Sequence, residues 1–584
     1  MTAVDTRSWV DDYNPNALWS RLLVEQLVAA GIRDVVLCPG GRSAAMALQI
    51  FHDPRLATTV QTDERIGGFT ALGMALASGR PAAVCTTSGS AVGNLVPALL
   101  EADASKIPLV VLSCDRPVGY RGTGAWQTTD QLAICAPFVR AAVDLPEPGD
   151  DVPAMRDALR EAAATLARAT RGGDEGPVQL NIPFPGALCP TAEQPGWLGA
   201  PAGPAVSAVG VPPVDGPAPR TEAVTELLDE LGVGPGLRGL IVAGPGLRVP
   251  RSAVDILAET TGYPVLADAA SGLRRPAVRN VVCEADALVF HPFLAKTRPE
   301  LIIRLGQAPV SHTVHSYLKA QDCPQLRDVG TDVPGDVLSD ASHALGPVDA
   351  AVARRLGERL GPGDEEWRTW WEDSAARARR GLEHGLRKLA WGESRAVATI
   401  CRAGDGFGFV HLANSMAIRN GNLHLGPEPV AQPVFANRGL NGIDGTIATF
   451  AGELIATQAR GLLLIGDQAA CHDLSALGAL SQDGLRGCVC VVNNGGGAVF
   501  DFVACHRLPG YQEAIRHPPA VDFAGAARAF GLPFRRCLDQ AQLTRALTDP
   551  DLRATVTLVE VVVPPDSLAG ELDRLFLSMV RRRR

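Results

Sequence analysis

Nowhere in the 584 residues does an uncharged apolar stretch reach the length, about 20 residues, that a helix needs to cross a bilayer. The first residues, Met1 to Asn14, carry Asp5, Asp11 and Asp12 and lack the apolar core of a secretory signal. No two of the 13 cysteines are spaced as CxxC, and Cys85, Cys488 and Cys490 sit inside apolar runs. That excludes a zinc-knuckle pattern and a disulfide framework, and it reads as buried thiols in a reducing compartment. Positive charge is not in surplus either. A net charge of −9 and a pI near 5.7 give no electrostatic case for nucleic acid or an anionic membrane as partner. The one basic run, Arg581 to Arg584, reads as a solvated tail. No short-period repeat is present. These absences leave a cytoplasmic protein that works on small molecules.

What is present is an ordinary globular composition, 46% apolar and 20% charged, at a length that predicts about three or four domains. Short apolar runs alternate with helical periodicity, the signature of α/β units with parallel sheets. In the first unit, residues 1–194, a helix is expected from Asn16 to Ala30. Strands are expected at Asp34 to Cys38, Pro81 to Thr86, Pro108 to Cys114 and Val178 to Ile182. Residues 195–219 are dense in Pro, Gly and Ala and read as a linker. A second unit, 220–360, is expected to hold strands at Leu240 to Ala243, Pro264 to Ala267, Ala287 to Phe290 and Leu301 to Leu305. A third, 361–584, opens on a long charged helix, Glu365 to Lys388. Its strands are expected at Phe407 to Leu412, Val434 to Ala436, Gly461 to Ile465 and Cys488 to Val492, the last two flanking a helical segment from His472 to Leu480.

The polar residues concentrate where strands end. One strand runs into Gly466-Asp467 and the next into Asn493-Asn494-Gly495-Gly496-Gly497. Adjacent parallel strands would bring Asp467 and Asn494 together, because ligands of open α/β sheets collect outside the carboxyl ends of the strands. A carboxylate, an amide oxygen and a backbone carbonyl are hard ligands suited to Mg²⁺ beside a phosphate, with glycines allowing close backbone approach. Gly-Asp and Asn-Gly are equally common turn formers. Further upstream, Pro39-Gly40-Gly41-Arg42-Ser43 opens a helix, a place for anions or simply a tight turn. Glu64 stands where a strand gives way to a helix, where an acidic residue also compensates the helix dipole. Thr87-Ser88-Gly89, Asp115-Arg116-Pro117, Gly124-Ala125-Trp126-Gln127, Asn414-Ser415 with Arg419, and Asn437-Arg438-Gly439 through Gly445 follow the same pattern. Gly244-Pro245-Gly246 is only a fragment of a dinucleotide fingerprint.

Taken in order, these stretches resemble the 2-succinyl-5-enolpyruvyl-6-hydroxy-3-cyclohexene-1-carboxylate synthases of menaquinone biosynthesis, a branch of the thiamine diphosphate-dependent enzymes. The likeness covers nearly the whole chain, and the run Asn437 to Gly445 is its most specific part. It implies three doubly wound α/β domains: pyrimidine-binding (1–194), central (220–360) and diphosphate-binding (361–584). It implies thiamine diphosphate with Mg²⁺ or Mn²⁺, and a homodimer or homotetramer with active sites between subunits. Glu64 would be the carboxylate on the aminopyrimidine, and Ser88, Gly442, Ile443, Gly466 and Asp467 would contact the cofactor. Ile443 also fits a plain core position. Asp467, Asn494 and the Gly496 carbonyl would ligate the metal. Arg42, Ser43, Arg116, Trp126, His312, Ser415, Arg419 and Arg438 would line the substrates, with Gln127, Arg419 and Arg438 joining Glu64 in catalysis. Four arginines suit substrates rich in carboxylates, because guanidinium binds them bidentately and stays charged.

Three positions depart from the family pattern. Gly41 stands where a serine is usual, Trp126 where an asparagine is, and His312 where a lysine often is. All three fall where the acceptor is expected. The implied reaction is decarboxylation of 2-oxoglutarate and conjugate addition of the product to isochorismate. The alternative is a related carboligase of specialised metabolism with a 2-oxo acid donor and a different acceptor. A non-catalytic thiamine-binding protein would not need Glu64, Asp467 and Asn494 together.

Overall fold

A computed structural model describes residues 14–149, 151–170, 174–186, 188, 221–274, 280–328, 336–339, 341–426, 433–549 and 554–580. The expected linker at 195–219, the arginine tail at 581–584 and residues 1–13 of the amino-terminal segment lie outside the described residues. The chain forms two compact units. Unit 1 comprises Met1–Gly216 with two segments from much later in the sequence, Gly439–Gln458 and Asp473–Gln482. Unit 2 comprises Pro217–Arg438, Ala459–His472 and Asp483–Arg584.

The sheet of unit 1 has six parallel strands: β1 (Asp34–Leu37), β2 (Ala57–Val60), β3 (Ala82–Thr86), β4 (Leu109–Asp115), β5 (Ala141–Asp144) and β6 (Val178–Pro183), in the order β2-β1-β3-β4-β6-β5. The central strands β1, β3, β4 and β6 are buried along their whole length, which is why they are mostly apolar, although β6 also buries Gln179 and Asn181. The edge strands β2 and β5 alternate with exposed residues, and their runs are too weak to stand out in the sequence. The helix Glu64–Ser78 packs against Thr446–Thr457 at the closest range a backbone permits. A Cβ on Gly73 would lie 2.0 Å from the Thr449 carbonyl oxygen, and one on Gly452 would lie 2.0 Å from that of Thr70. This small-residue seam makes the later segment part of unit 1.

Unit 2 carries two further six-stranded parallel sheets. The first holds β7 (Gly239–Ala243), β8 (Val265–Ala267), β9 (Val281–Val282), β10 (Leu301–Leu305), β11 (Gln325–Arg327) and β12 (Ser342–Ala344), ordered β12-β11-β10-β7-β8-β9. The second holds β13 (Phe409–Leu412), β14 (Val434–Phe435), β15 (Gly461–Gly466), β16 (Gly487–Asn493), β17 (Phe534–Cys537) and β18 (Val556–Val562), ordered β14-β13-β15-β16-β18-β17. Three doubly wound parallel sheets are the α/β class expected. The helix Glu365–Lys388 forms as read, with Asp364 capping it and Trp367 and Trp371 buried. It packs on the helix Leu568–Val580, where a Cβ on Gly381 would lie 2.3 Å from the Ser578 carbonyl oxygen.

Two expectations are corrected. Ala287 to Phe290 is not a strand: Ala285–Leu288 is a short helix after Glu284, since four apolar residues carry no period that separates the two states. The helical segment after β15 starts at Asp467 rather than His472, running as Asp467–His472 and then, after a break, Leu477–Leu480. Asp467 is therefore a first-turn helical residue. Among the described residues no helix is long and apolar enough to cross a membrane, and the cysteines there are free thiols.

Candidate active site

In unit 1, the ends of four strands, β1 to β4, and their following loops carry the first group of residues. Asp63 caps the helix that starts at Glu64, accepting the N–H groups of Arg65 and Ile66. Glu64 is half-buried, and its Oε2 accepts from Asn94 Nδ2 at 3.1 Å. The Gly40–Ser43 turn presents Arg42, whose Nη1 donates to the Phe184 carbonyl at 2.7 Å. Burial, then the like charge of Arg116, lowers the pKa of Arg42. Arg42 Nε and Arg116 Nε are buried with no partner among the described residues. Two interacting cations with uncommitted donors have the chemistry to take an anion. Arg116 Nη2 also donates to Gln127 Oε1 at 3.1 Å, and Gln127 Nε2 to the Ser88 carbonyl at 3.0 Å. Asp115 fixes this corner by accepting the Arg116 N–H and bonding Arg121 and Asn181. Gln127 holds φ of +56°, a conformation that costs a non-glycine residue about 1–3 kcal/mol.

The rest of the expected set in unit 1 is less uniform. Ser43 is fully buried and its hydroxyl donates to the Gly40 carbonyl, so it closes the turn instead of facing a ligand. The Ser88 hydroxyl is buried without a partner among the described residues. Ile443 is half-buried, and so is not a core isoleucine. The loop that carries Gly442 and Ile443 is anchored by Glu101, which accepts from Gly439 N at 2.7 Å and Leu440 N at 2.9 Å. Gly445 ends that loop at φ of +64°, with a hypothetical Cβ only 2.1 Å from the Phe69 ring; no other residue fits.

In unit 2, β15 and β16 pair in parallel through Gly466 and Val492, bringing the two polar ends together. Asp467 Oδ2 accepts from Gly496 N at 2.8 Å and its Oδ1 from Gln468 N at 2.7 Å. Burial raises the Asp467 carboxyl above its ordinary value, against those backbone donors and the charge of Arg516. Asn494 Oδ1 is buried and accepts nothing from the described residues. Gly495 and Gly496 take φ of +76° and +115°, and a Cβ on Gly466 would meet nothing within 4 Å. A carboxylate, an uncommitted amide oxygen and the Gly496 carbonyl, beside open space at Gly466, fit a hard cation and a diphosphate. The Gly496 carbonyl also accepts from Ala498 N at 2.7 Å, which leaves its second lone pair for a metal. Among the described residues no group of three or more His, Cys, Asp or Glu side chains is placed to hold a metal ion by itself.

Ser415 precedes the helix Met416–His424 with φ of +66° and ψ of −128°, a region that glycine favours. Its carbonyl accepts from Arg419 Nη1 at 2.6 Å, and burial lowers the pKa of Arg419. Arg438 Nη1 donates to Asn414 Oδ1 at 2.6 Å, while Asn414 Nδ2 donates to the Asn437 carbonyl. His312 is exposed at the start of the helix His312–Lys319, with His315 as its ring neighbour.

Glu393 was not visible as a site residue in the sequence. It is 4% exposed, and accepts from Asn420 Nδ2 at 2.7 Å and Asn494 Nδ2 at 2.8 Å. Burial pushes its carboxyl up to about 7, against the hydrogen bond from Asn494. These partners lie 27 and 101 positions away, so the only local signal was an acidic residue in the first turn of the helix Glu393–Ala403.

Residues 19–134 match the family described as thiamine pyrophosphate enzyme, N-terminal TPP binding domain. Proteins named 2-succinyl-5-enolpyruvyl-6-hydroxy-3-cyclohexene-1-carboxylate synthase align over nearly the full length. The one from Halobacterium salinarum is 33% identical across 96% of this chain and 98% of its own. The Myxococcus xanthus protein is 33% identical across 97% and 98%. The Rubrobacter xylanophilus protein is 34% identical across 94% and 95%. The chain belongs to this family. Its departures from the synthase pattern share one physical property. A Cβ on Gly41 would meet nothing within 4 Å, Trp126 is 91% exposed, and His312 is exposed. Packing within the described chain dictates none of the three.

Proposed function

We propose that this chain is a thiamine diphosphate-dependent synthase that decarboxylates 2-oxoglutarate and joins the succinyl-semialdehyde unit to isochorismate by conjugate addition. The observation that carries this reading is Asn494 Oδ1, a buried acceptor left uncommitted at the strand end next to Asp467, in a chain that aligns end to end with synthases of that name. Asp467, Asn494 and the Gly496 carbonyl would hold Mg²⁺ or Mn²⁺. Gly466 would give the diphosphate room, and Glu64, Ser88, Gly442 and Ile443 would contact the rest of the cofactor. Bound thiamine diphosphate supplies the electron sink for the carbanion left when the donor loses carbon dioxide.

The chain's own residues supply orientation and charge. Glu64 would hydrogen-bond the pyrimidine ring nitrogen of the cofactor. Arg42 and Arg116 bind substrate carboxylates with the donors that the fold leaves free. Arg419 and Arg438, tied to Ser415 and Asn414, present fixed guanidinium groups to the remaining carboxylates, with the Gln127 amide as an uncharged donor. Residues 1–194, 220–360 and 361–584 act as pyrimidine-binding, central and diphosphate-binding domains. The enzyme works in the cytoplasm as a homodimer or homotetramer in which two copies complete each site.

The test is incubation of the purified protein with 2-oxoglutarate, isochorismate, thiamine diphosphate and Mg²⁺. Carbon dioxide and conjugate product together are expected; absence of decarboxylation refutes the donor. One observation favours a second reading, a carboligase with another acceptor: Trp126, the residue before Gln127 in the chain, carries an indole that is 91% exposed. Decarboxylation without the conjugate product, with isochorismate use appearing in Trp126→Asn, would decide for it.

A further inference from the structure

We propose that Glu393 is the positioning residue that aims Asn494 Oδ1 at the cation, an inference that rests on the metal set named above. A primary amide can rotate by half a turn and exchange its donor for its acceptor with almost no change in shape. What faces the other side of the amide therefore decides which atom a metal meets. Here that side is a carboxylate. Glu393 Oε2 accepts from Asn494 Nδ2 at 2.8 Å, which turns Oδ1 the opposite way, where it is buried and unpartnered among the described residues.

Glu393 is itself held in place. Its Oε1 accepts from Asn420 Nδ2 at 2.7 Å, and its N–H donates to Ser567 Oγ at 3.4 Å. The next residue, Ser394, donates its N–H to Glu571 Oε2 at 2.8 Å, which fixes the start of the helix. The loop backbone has separate anchors. The Asn494 carbonyl accepts from Arg516 Nη2 at 3.2 Å, Gly497 N donates to the Arg516 carbonyl at 2.8 Å, and Gly496 N donates to Asp467. Removing the Glu393 carboxylate thus frees the amide's rotation without releasing the loop. Partners that orient a metal's ligands in this way typically account for about 10–100-fold in metal affinity.

The substitution that isolates this role is at the amide. The carboxylate introduced by Asn494→Asp would present an oxygen to the metal in either rotamer, so aim would no longer matter, and a facing Glu393 would only repel it. The experiment measures free Mn²⁺ by electron paramagnetic resonance during titration of the full-length protein with MnCl₂ and saturating thiamine diphosphate. Glu393→Met, which keeps the side-chain volume, and Glu393→Ala are each made in the natural and the Asn494→Asp backgrounds. In the natural background Mn²⁺ affinity should fall about 10–100-fold. In the Asn494→Asp background the same replacements should leave it unchanged or improve it. An equal loss in both backgrounds, or no loss in the natural one, overturns the inference. Failure of the unmodified protein to bind Mn²⁺ overturns the proposed metal site instead.

Discussion

Replacing Gly452 by alanine adds one methyl group to a helix seam that has no room for it. The new Cβ would lie 2.0 Å from the Thr70 carbonyl oxygen and 2.8 Å from Met74 N, where ordinary contact begins at 3.4 Å. Both are backbone atoms, so no side chain can swing aside; the helices must part by roughly 1.4 Å. Overpacking of this kind costs about 1–3 kcal/mol, offset by up to about 1 kcal/mol of helix propensity gained over glycine. Destabilisation by about 1–2 kcal/mol is expected. For a unit of this size that lowers Tm by about 2–8 °C, read by differential scanning fluorimetry at one fixed scan rate. Gly570→Ala is the control, because its Cβ meets nothing within 4 Å in the helix Leu568–Val580, and its Tm should stay level or rise. The helix pressed by Gly452 is the one that begins at Glu64. Displacement by about 1 Å of a group in the chemistry costs on the order of 100-fold, so kcat should fall further than stability alone explains. A Gly452→Ala protein that melts like Gly570→Ala refutes the argument.

Glu64→Gln should abolish turnover and leave thiamine diphosphate binding, followed by calorimetry, nearly intact; activity close to the unmodified enzyme would remove Glu64 from its role. Arg116→Ala withdraws a charged donor worth about 1.5–3 kcal/mol and should raise a substrate KM by about 10–100-fold. No change in any KM would mean that the Arg42–Arg116 pair binds nothing. Stability should also depend on pH through Asp268. Burial pushes the Asp268 carboxyl up to about 6, against the hydrogen bond from Val310 and the charge of Arg274. The folded protein therefore holds that proton more tightly than the unfolded chain, whose carboxyl titrates near about 4. The stability this contributes is present below about 4 and lost as pH rises through about 6. Asp268→Asn should flatten Tm across that window, and an unchanged slope in a melting series would exclude Asp268 as its source.

Most of the sheet and half of the site could be read directly from the residues. Strands β1, β3, β4, β6, β15 and β16 are buried on both faces and stand out by their apolar residues, whereas β2, β5 and β17, with exposed faces, do not. Asp467 and Asn494 were legible because adjacent parallel strands place their ends together whatever the rest of the fold does. Arg42, Arg116, Ser415 and Arg438 were legible as the polar ends of strands and the starts of helices. Glu393 and Glu101 were not. Each looks locally like an ordinary helical acid, and its meaning comes from partners far along the chain: Asn494 for one, the Gly439–Leu440 backbone for the other. The hydrogen bond from the Ser43 hydroxyl to its own turn was not legible either, since a motif position does not say what a hydroxyl bonds.

The sequence by itself determined the α/β class, the cofactor motifs and the family, because those rest on local periodicity and on spacings that survive without a partner. Only the tertiary structure decided that Gly439–Gln458 folds with the first unit, since that depends on two glycines from distant helices meeting backbone to backbone. The structure alone also decided which way the Asn494 amide oxygen points, because an amide's direction is set by the carboxylate across from it.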